Sequence, residues 1–209
     1  MTGVAVGVGN PTMGDDGLGR AVVRALAERR PGLDATFAGT TAMLALEAMD
    51  GRPRGVVVDA VDADCPPGTV VRTRLEDGEA PTEVAMHDFT FAEAVRTCSG
   101  VYDLPPRVVV VGVVPATVEP TVGLSPTVAP VVPDAAAVAA AELTDNRHDG
   151  TDRFMDATWY CVDCEAEIDA DAVDDHELDG HSVRGRLRPE RLLSQDPWQG
   201  EASADGGEP

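Results

Sequence analysis

The 209-residue sequence predicts a three-layer α/β/α domain with a mainly parallel central sheet, followed by a small C-terminal zinc-binding module. Two observations carry the first part. Short Val-rich runs alternate with Ala/Leu-rich helical patterns up to about residue 145, which is the order of a layered α/β domain. Several of the runs are apolar without interruption, as strands buried on both faces tend to be. A third observation carries the second part. Cys161 and Cys164 are followed by His176 and His181 in a C-x2-C-x11-H-x4-H order, close to Cys₂His₂ zinc spacing.

Strands are expected over 4–8, 35–37, 55–58, 69–72 and 107–113, and helices over 17–29, 41–49, 90–98 and 133–143. In the last helix, Ser125-Pro126 makes a good cap and first-turn pair, but Pro130 and Pro133 would each remove a helical hydrogen bond. The expectation is a kink, or a restart at Pro133. The domain should span 1–145. A polar linker follows at 146–156, then the Cys₂His₂ module at 157–193 and a disordered acidic tail at 194–209.

Asp and Glu number 37 against 16 basic residues, all of them Arg, for a net charge of -21. At 43% hydrophobic the chain still has material for a core, so this is not an acidic disordered polymer. The charge argues against nucleic acid and anionic membrane as partners, because phosphate contacts need clustered cations. Acid excess without Lys reads as halophilic adaptation, since molar salt screens carboxylate repulsion within about 3 Å. The N-terminus lacks a basic signal-peptide region, and no apolar run reaches the roughly 20 residues that span a bilayer. Four cysteines are too few and too unevenly placed for a disulfide scaffold. A cytoplasmic, reducing location follows as the expectation.

In the Cys/His segment, the two thiolates and two imidazoles form a closed set for structural zinc. A short helix over 171–178, ended by Gly180, would present the histidines, and Trp159, Tyr160, Ile168, Val173 and Leu178 would form a small core. So short a segment cannot bury enough surface to fold alone, which makes metal its staple. Glu165, Glu167, Asp169, Asp171, Asp174 and Asp175 would repel phosphates, so DNA reading is not expected. Arg184, Arg186, Arg188 and Arg191 form a basic cluster just beyond, either a clip onto the acidic body or a protein contact.

The first strand runs into Gly7-Val-Gly9-Asn10-Pro-Thr-Met-Gly14-Asp15-Asp16-Gly17-Leu-Gly19. A dinucleotide fingerprint fails here, because Thr12 takes the third glycine position and two carboxylates stand where a pyrophosphate would approach. Asp15 alone could be a helix N-cap; the glycine-framed pair instead suits a cation or proton transfer. This opening resembles that of the nickel–iron hydrogenase maturation endopeptidases, the large-subunit processing proteases. The resemblance continues through Gly39-Thr40, Val57-Val58-Asp59-Ala60, Pro67-Gly68-Thr69, Met86-His87, Val111-Gly112-Val113-x-Pro115, Glu119-Pro120 and Gly123-Leu-Ser-Pro-Thr-Val128.

The resemblance implies a phosphorylase/hydrolase-like fold and an endopeptidase that removes a C-terminal peptide from a nickel-loaded hydrogenase large-subunit precursor. It also implies a metal-binding catalytic triad at Asp16, Asp59 and His87, reading nickel carried by the substrate. Asp59 closes an apolar run, at the strand end where open α/β sheets bind ligands. Asn10, Asp15, Gly39 and Thr40 fall in the substrate loops, where Asn10 and its glycines could offer N–H groups to the cleaved carbonyl. The 37–42 loop keeps only part of the family pattern, and the Cys/His segment lies outside the match. Two other readings use the same residues: a relative that processes another metalloprotein, and a non-catalytic adaptor that binds protein through its zinc module.

Overall fold

The computed structural model describes residues 3–75, 85–86, 89–98, 100–144 and 154–189. Valine, stiff at χ1 and suited to a pleated surface, builds most of its central strands. In chain order come β1 (Val4–Gly7), α1 (Leu18–Arg29), β2 (Asp34–Phe37), α2 (Ala42–Met49), β3 (Gly55–Ala60) and β4 (Val70–Leu75). Next are the short β5 (Ala85–Met86) and β6 (Phe89–Thr90), α3 (Phe91–Cys98), β7 (Val108–Val113) and α4 (Val132–Thr144). The remainder forms β8 (Phe154–Cys161), β9 (Ala166–Ile168), α5 (Val173–Leu178) and β10 (Val183–Pro189). Every expected main-domain strand and helix is present, with modest shifts at the ends.

Eight of the described strands form one sheet in the order β2-β1-β3-β7-β4-β10-β8-β9, and β5 pairs with β6 apart from it. Pairings from β2 through β7 are parallel, and those from β7 through β9 are antiparallel. The sheet is therefore mixed, with its parallel part at the heart of the domain. Alternation along the valine runs produces the layers. Val56, Val58, Val109, Val111 and Val113 pack with α1 and α4, whereas Val57, Val108 and Val110 pack with α2 and α3. Both faces are covered, which explains why these strands are apolar throughout.

A 3-10 turn at Ala129–Val131 leads directly into α4. Pro130 lies in that turn and Pro133 in the first turn of α4, where a missing N–H costs nothing. Ser125 accepts from Val128 N–H through Oγ at 3.2 Å. The proline-rich approach is thus a restart, as one of the two expectations had it.

From the C-terminal part, β10 covers the edge of β4 and brings β8 and β9 behind it. Such coverage satisfies an edge that would otherwise expose unpaired backbone groups. The expected small core of this segment needs correcting. Trp159 and Val173 are buried, but in the same cluster as α1 and α4, while Leu178 is 84% exposed and Tyr160 is 40% exposed. Joining an existing core buries more apolar surface than a separate small one could. Residues 145–153, which include most of the expected linker, and the acidic tail at 194–209 lie outside the described residues; 154–156 open β8.

Candidate active site and candidate metal centre

Close backbone approach shapes the loop between β1 and α1. A Cβ on Gly19 would stand 2.1 Å from the Val8 carbonyl oxygen, so α1 can lie against β1 only with glycine there. Gly9 has φ of 116°, and a Cβ on it would meet the Asp16 carbonyl oxygen at 1.9 Å and Asp59 Oδ1 at 3.4 Å. The loop therefore folds over the carboxyl end of β3 and brings Asp16 and Asp59 around one glycine. Asp16 is half-buried, and its Oδ2 accepts from Asn10 N–H at 2.8 Å. Asp59 is 3% exposed, and its Oδ1 accepts from Ala60 N–H at 2.8 Å.

Among the described residues, no ion pair to a cation is seen for either carboxylate. Burial, followed by the nearby negative charge of Asp16, pushes the Asp59 pKa up from 3.8 to about 8, against a smaller lowering by the Ala60 N–H. A carboxyl group in that state holds a proton near neutrality or exchanges it for a cation. Asp62 and Asp64, farther along the loop, are exposed. His87 falls between β5 and β6 in the chain and lies outside the described residues.

Asp15 has a different part from its neighbour. It is fully buried, with Oδ2 accepting from Ala116 N–H at 2.9 Å and Thr117 N–H at 3.1 Å, and Oδ1 from Ser125 N–H at 2.7 Å. The helix-capping alternative for Asp15 is therefore overturned. Asp15 sits inside the 3-10 turn Gly14–Gly17, and no side chain caps either that turn or α1. Its carboxylate is the acceptor for a segment that would otherwise leave three N–H groups inside the fold.

The N–H groups of the glycine loop are also engaged internally. Gly9 N–H donates to the Gly39 carbonyl at 2.9 Å, and Asn10 N–H to Asp16. Both donors thus have acceptors within the fold. Asn10 organises the turn through Oδ1, which accepts from Thr12 N–H at 3.0 Å and from Thr12 Oγ1 at 2.8 Å. The Gly9–Gly39 bond ties the half-buried Gly39 and exposed Thr40 to the same end of the sheet.

The four Cys/His residues converge at the other end. Cys161 Sγ is 3.5 Å from His181 Nδ1, Cys164 Sγ is 3.3 Å from His181 Nδ1 and 3.6 Å from His176 Nδ1, and the two Nδ1 atoms are 3.3 Å apart. A tetrahedral ion at zinc distances requires roughly 3.4 Å between two nitrogens and about 3.5 Å between sulfur and nitrogen. The four groups thus fit one tetrahedral ion. Cys164 N–H points at Cys161 Sγ at 3.4 Å, Gly180 takes φ of 83° after α5, and His181 N–H returns to the His176 carbonyl at 2.9 Å. Four protein atoms would fill the coordination shell of such an ion and leave no position for substrate. Counting strands and residues between Asp59 and Cys161, at about 4.8 Å per strand and about 3.3 Å per residue, separates the two sites by roughly 20 Å.

One cluster has no counterpart among the expected residues. Arg72 is completely buried, donating to Glu142 Oε1 at 3.1 Å, to Glu142 Oε2 at 3.3 Å and to Glu177 Oε1. Arg107 Nη2 reaches Glu142 at 2.8 Å and Glu177 at 3.4 Å. Burial opposes the Arg72 charge, but Glu142 and Glu177 outweigh it and hold the guanidinium ionised. The sequence signal for it is an Arg that closes the apolar run Val70-Val71-Arg72.

Comparison with known proteins gives one consistent result. A family model described as hydrogenase maturation protease matches residues 21–142. The hydrogenase 2 maturation protease of Escherichia coli strain K12 is 28% identical over 149 residues, 68% of this chain and 91% of that protein. The solved structure of the hydrogenase maturating endopeptidase HybD from E. coli has a TM-score of 0.57 at 28% identity, covering 68% of this chain and 92% of its own. The solution structure of an endopeptidase from E. coli gives 0.61 at 29% identity, with 69% and 93% covered. The metal-centre residues all follow the end of the family match.

Proposed function

The chain belongs to the hydrogenase maturation protease family, and on that premise we propose that it removes a C-terminal peptide from a nickel-loaded hydrogenase large-subunit precursor. In this reading the nickel is part of the substrate. Asp16 and Asp59, joined by His87, engage it, and their oxygen and nitrogen donors suit a divalent first-row ion. The observation that carries the proposal is the Asp59 carboxyl group, buried beside Asp16 and raised to about 8. Such a pair is poised to exchange a proton for a cation delivered from outside.

Hydrolysis then draws on the substrate's nickel to polarise the scissile carbonyl or the attacking water, with Asp16 as the proton-transfer group. Asp15, through its three backbone bonds, fixes the loop that presents Asp16. Gly39 and Thr40 border the path of the peptide. The Cys/His centre takes zinc in a structural role, because its thiolates and imidazoles favour that ion and leave no open position. No helix among the described residues is long and apolar enough to cross a membrane, and the reading keeps enzyme and precursor together in the cytoplasm.

The experiment is incubation of the protein with its precursor in nickel-loaded and nickel-free forms, with the released peptide read by mass spectrometry. Cleavage confined to the loaded precursor is expected. Equal cleavage of both forms would remove nickel recognition from the account. Cleavage of neither, with another metalloprotein precursor processed instead, would change the substrate and keep the site.

A further inference from the structure

We infer that the ion held by Cys161, Cys164, His176 and His181 acts beyond its own loop: it docks the C-terminal segment onto the protease sheet, with Glu177 as the coupling residue. Two neighbours in sequence face opposite ways. His176 turns toward the metal centre, and Glu177 turns the other way, into the body, where its carboxylate meets the buried guanidinium of Arg72. Both sit on α5, a helix of six residues, and helices that short do not hold themselves together in water. Ligation at His176 therefore fixes the element that delivers Glu177.

Arg72 belongs to β4, a strand of the protease sheet, and its carboxylate partners are Glu142 and Glu177. Glu142 is shared with Arg107. If α5 leaves, the buried guanidinium loses one of two counter-charges, and a buried charge with incomplete compensation is strongly destabilising. Trp159, from β8, lies beside the same group, with its ring centroid 5.9 Å from Arg72 Cζ. The close fit of Gly185 beneath Trp159, where a Cβ would come within 2.5 Å of the ring, keeps β8 and β10 in register over Arg72.

The same strand carries the effect toward the candidate active site. Arg188, near the end of β10, donates to Thr69 Oγ1 at 3.1 Å, and Thr69 in turn donates to the Pro66 carbonyl at 2.7 Å. These residues close the segment that leaves β3 after Asp59 and returns as β4. The metal centre thus holds α5 and the start of β10, while the far end of β10 holds the connection next to Asp59. A soft or borderline divalent ion of the zinc class is the ligand that fits the donors.

The test uses the full chain, zinc-loaded or stripped with chelator, and reads hydrogen exchange and thermal denaturation rather than peptidase activity. Its outcome is therefore independent of the proposed substrate. Removing zinc should speed amide exchange in Val70–Leu75 and in residues 61–69 at least about tenfold. Zinc should raise the midpoint of a single unfolding transition by about 10 °C. Glu177→Gln should retain one zinc per chain yet lose most of that rise. Exchange changes confined to residues 161–182 would overturn the inference, as would a Glu177→Gln protein with the full zinc-dependent rise. Should that variant fail to fold, the exchange comparison on the wild-type chain decides alone.

Discussion

Adjacent aspartates divide the work at the front of the sheet. Asp15 satisfies three backbone N–H groups, and Asp15→Ala should lower stability by about 3 kcal/mol, because bonds to a charged acceptor are each worth a kcal/mol or more. Urea denaturation measures this; a loss below about 1 kcal/mol would mean the segment finds other acceptors. Asp59 has the opposite sign. Its folded-state pKa of about 8 lies above the ordinary 3.8, so between those values the folded chain keeps a proton that the unfolded chain has released. Stability from this group is intact below about pH 4, declines as pH rises through the window, and is fully lost above pH 8. Asp59→Asn should therefore match wild type near pH 4 and exceed it at pH 9 by about 2 kcal/mol or more. An identical difference at both pH values would contradict the burial argument. Sequence singled out both aspartates but not this division, since N-cap chemistry and loop clamping draw on the same residue type. The direction of each carboxylate depends on segments some hundred residues away, and no local pattern encodes that.

Helices and strands of the main domain were legible because their signals are local and agree. Apolar runs mark β1, β3 and β7, and Leu18, Val22, Val23 and Leu26 make the buried stripe of α1. The Gly7 and Gly19 pair was read as part of a motif, and its physical content is contact between strand and helix. Gly19→Ala should consequently disturb the seat of α1, dropping the thermal midpoint by at least about 5 °C, and a scan in the absence of substrate measures it. An unchanged midpoint would show that the helix can shift outward at little cost. The C-terminal strands were missed for an identifiable reason. In β10, Val183, Gly185, Leu187 and Pro189 are buried and alternate with Arg184, Arg186 and Arg188. That is a strand period, but the arginines drew attention as a basic cluster. Arg188 donates to the Thr69 hydroxyl on the body, a neutral acceptor, while Arg191 lies outside the described residues. The helix over 171–178 was expected nearly where α5 lies, since the ligand spacing constrains it.

For the molecule as a whole, two charge systems act on different scales. Among the described residues, the buried Arg72 is matched by carboxylates in the cluster it forms with Arg107, Glu142 and Glu177, whereas the buried Asp59 faces another acid. Surface charge is in large excess, with a net of -21, and its self-repulsion is relieved by salt. The denaturation midpoint should rise steadily between 0.2 M and 2 M KCl, by roughly 10 °C, on the argument that net charge destabilises the compact state. A flat profile would detach the acid excess from solvent adaptation. The two candidate sites lie at opposite ends of one continuous sheet: the carboxylates at the carboxyl end of β3, and the Cys/His cluster, which could hold an ion, beside β8. Peptide cleavage is proposed for the first of these. It is tested most directly by the rate at which a nickel-loaded precursor loses its C-terminal peptide to the wild-type chain, Asp16→Ala, Asp59→Asn and His87→Ala, with each variant first verified as folded. The account predicts cleavage by the wild type and a loss of at least about a hundredfold in every variant. Folded variants that cleave at the wild-type rate would contradict it.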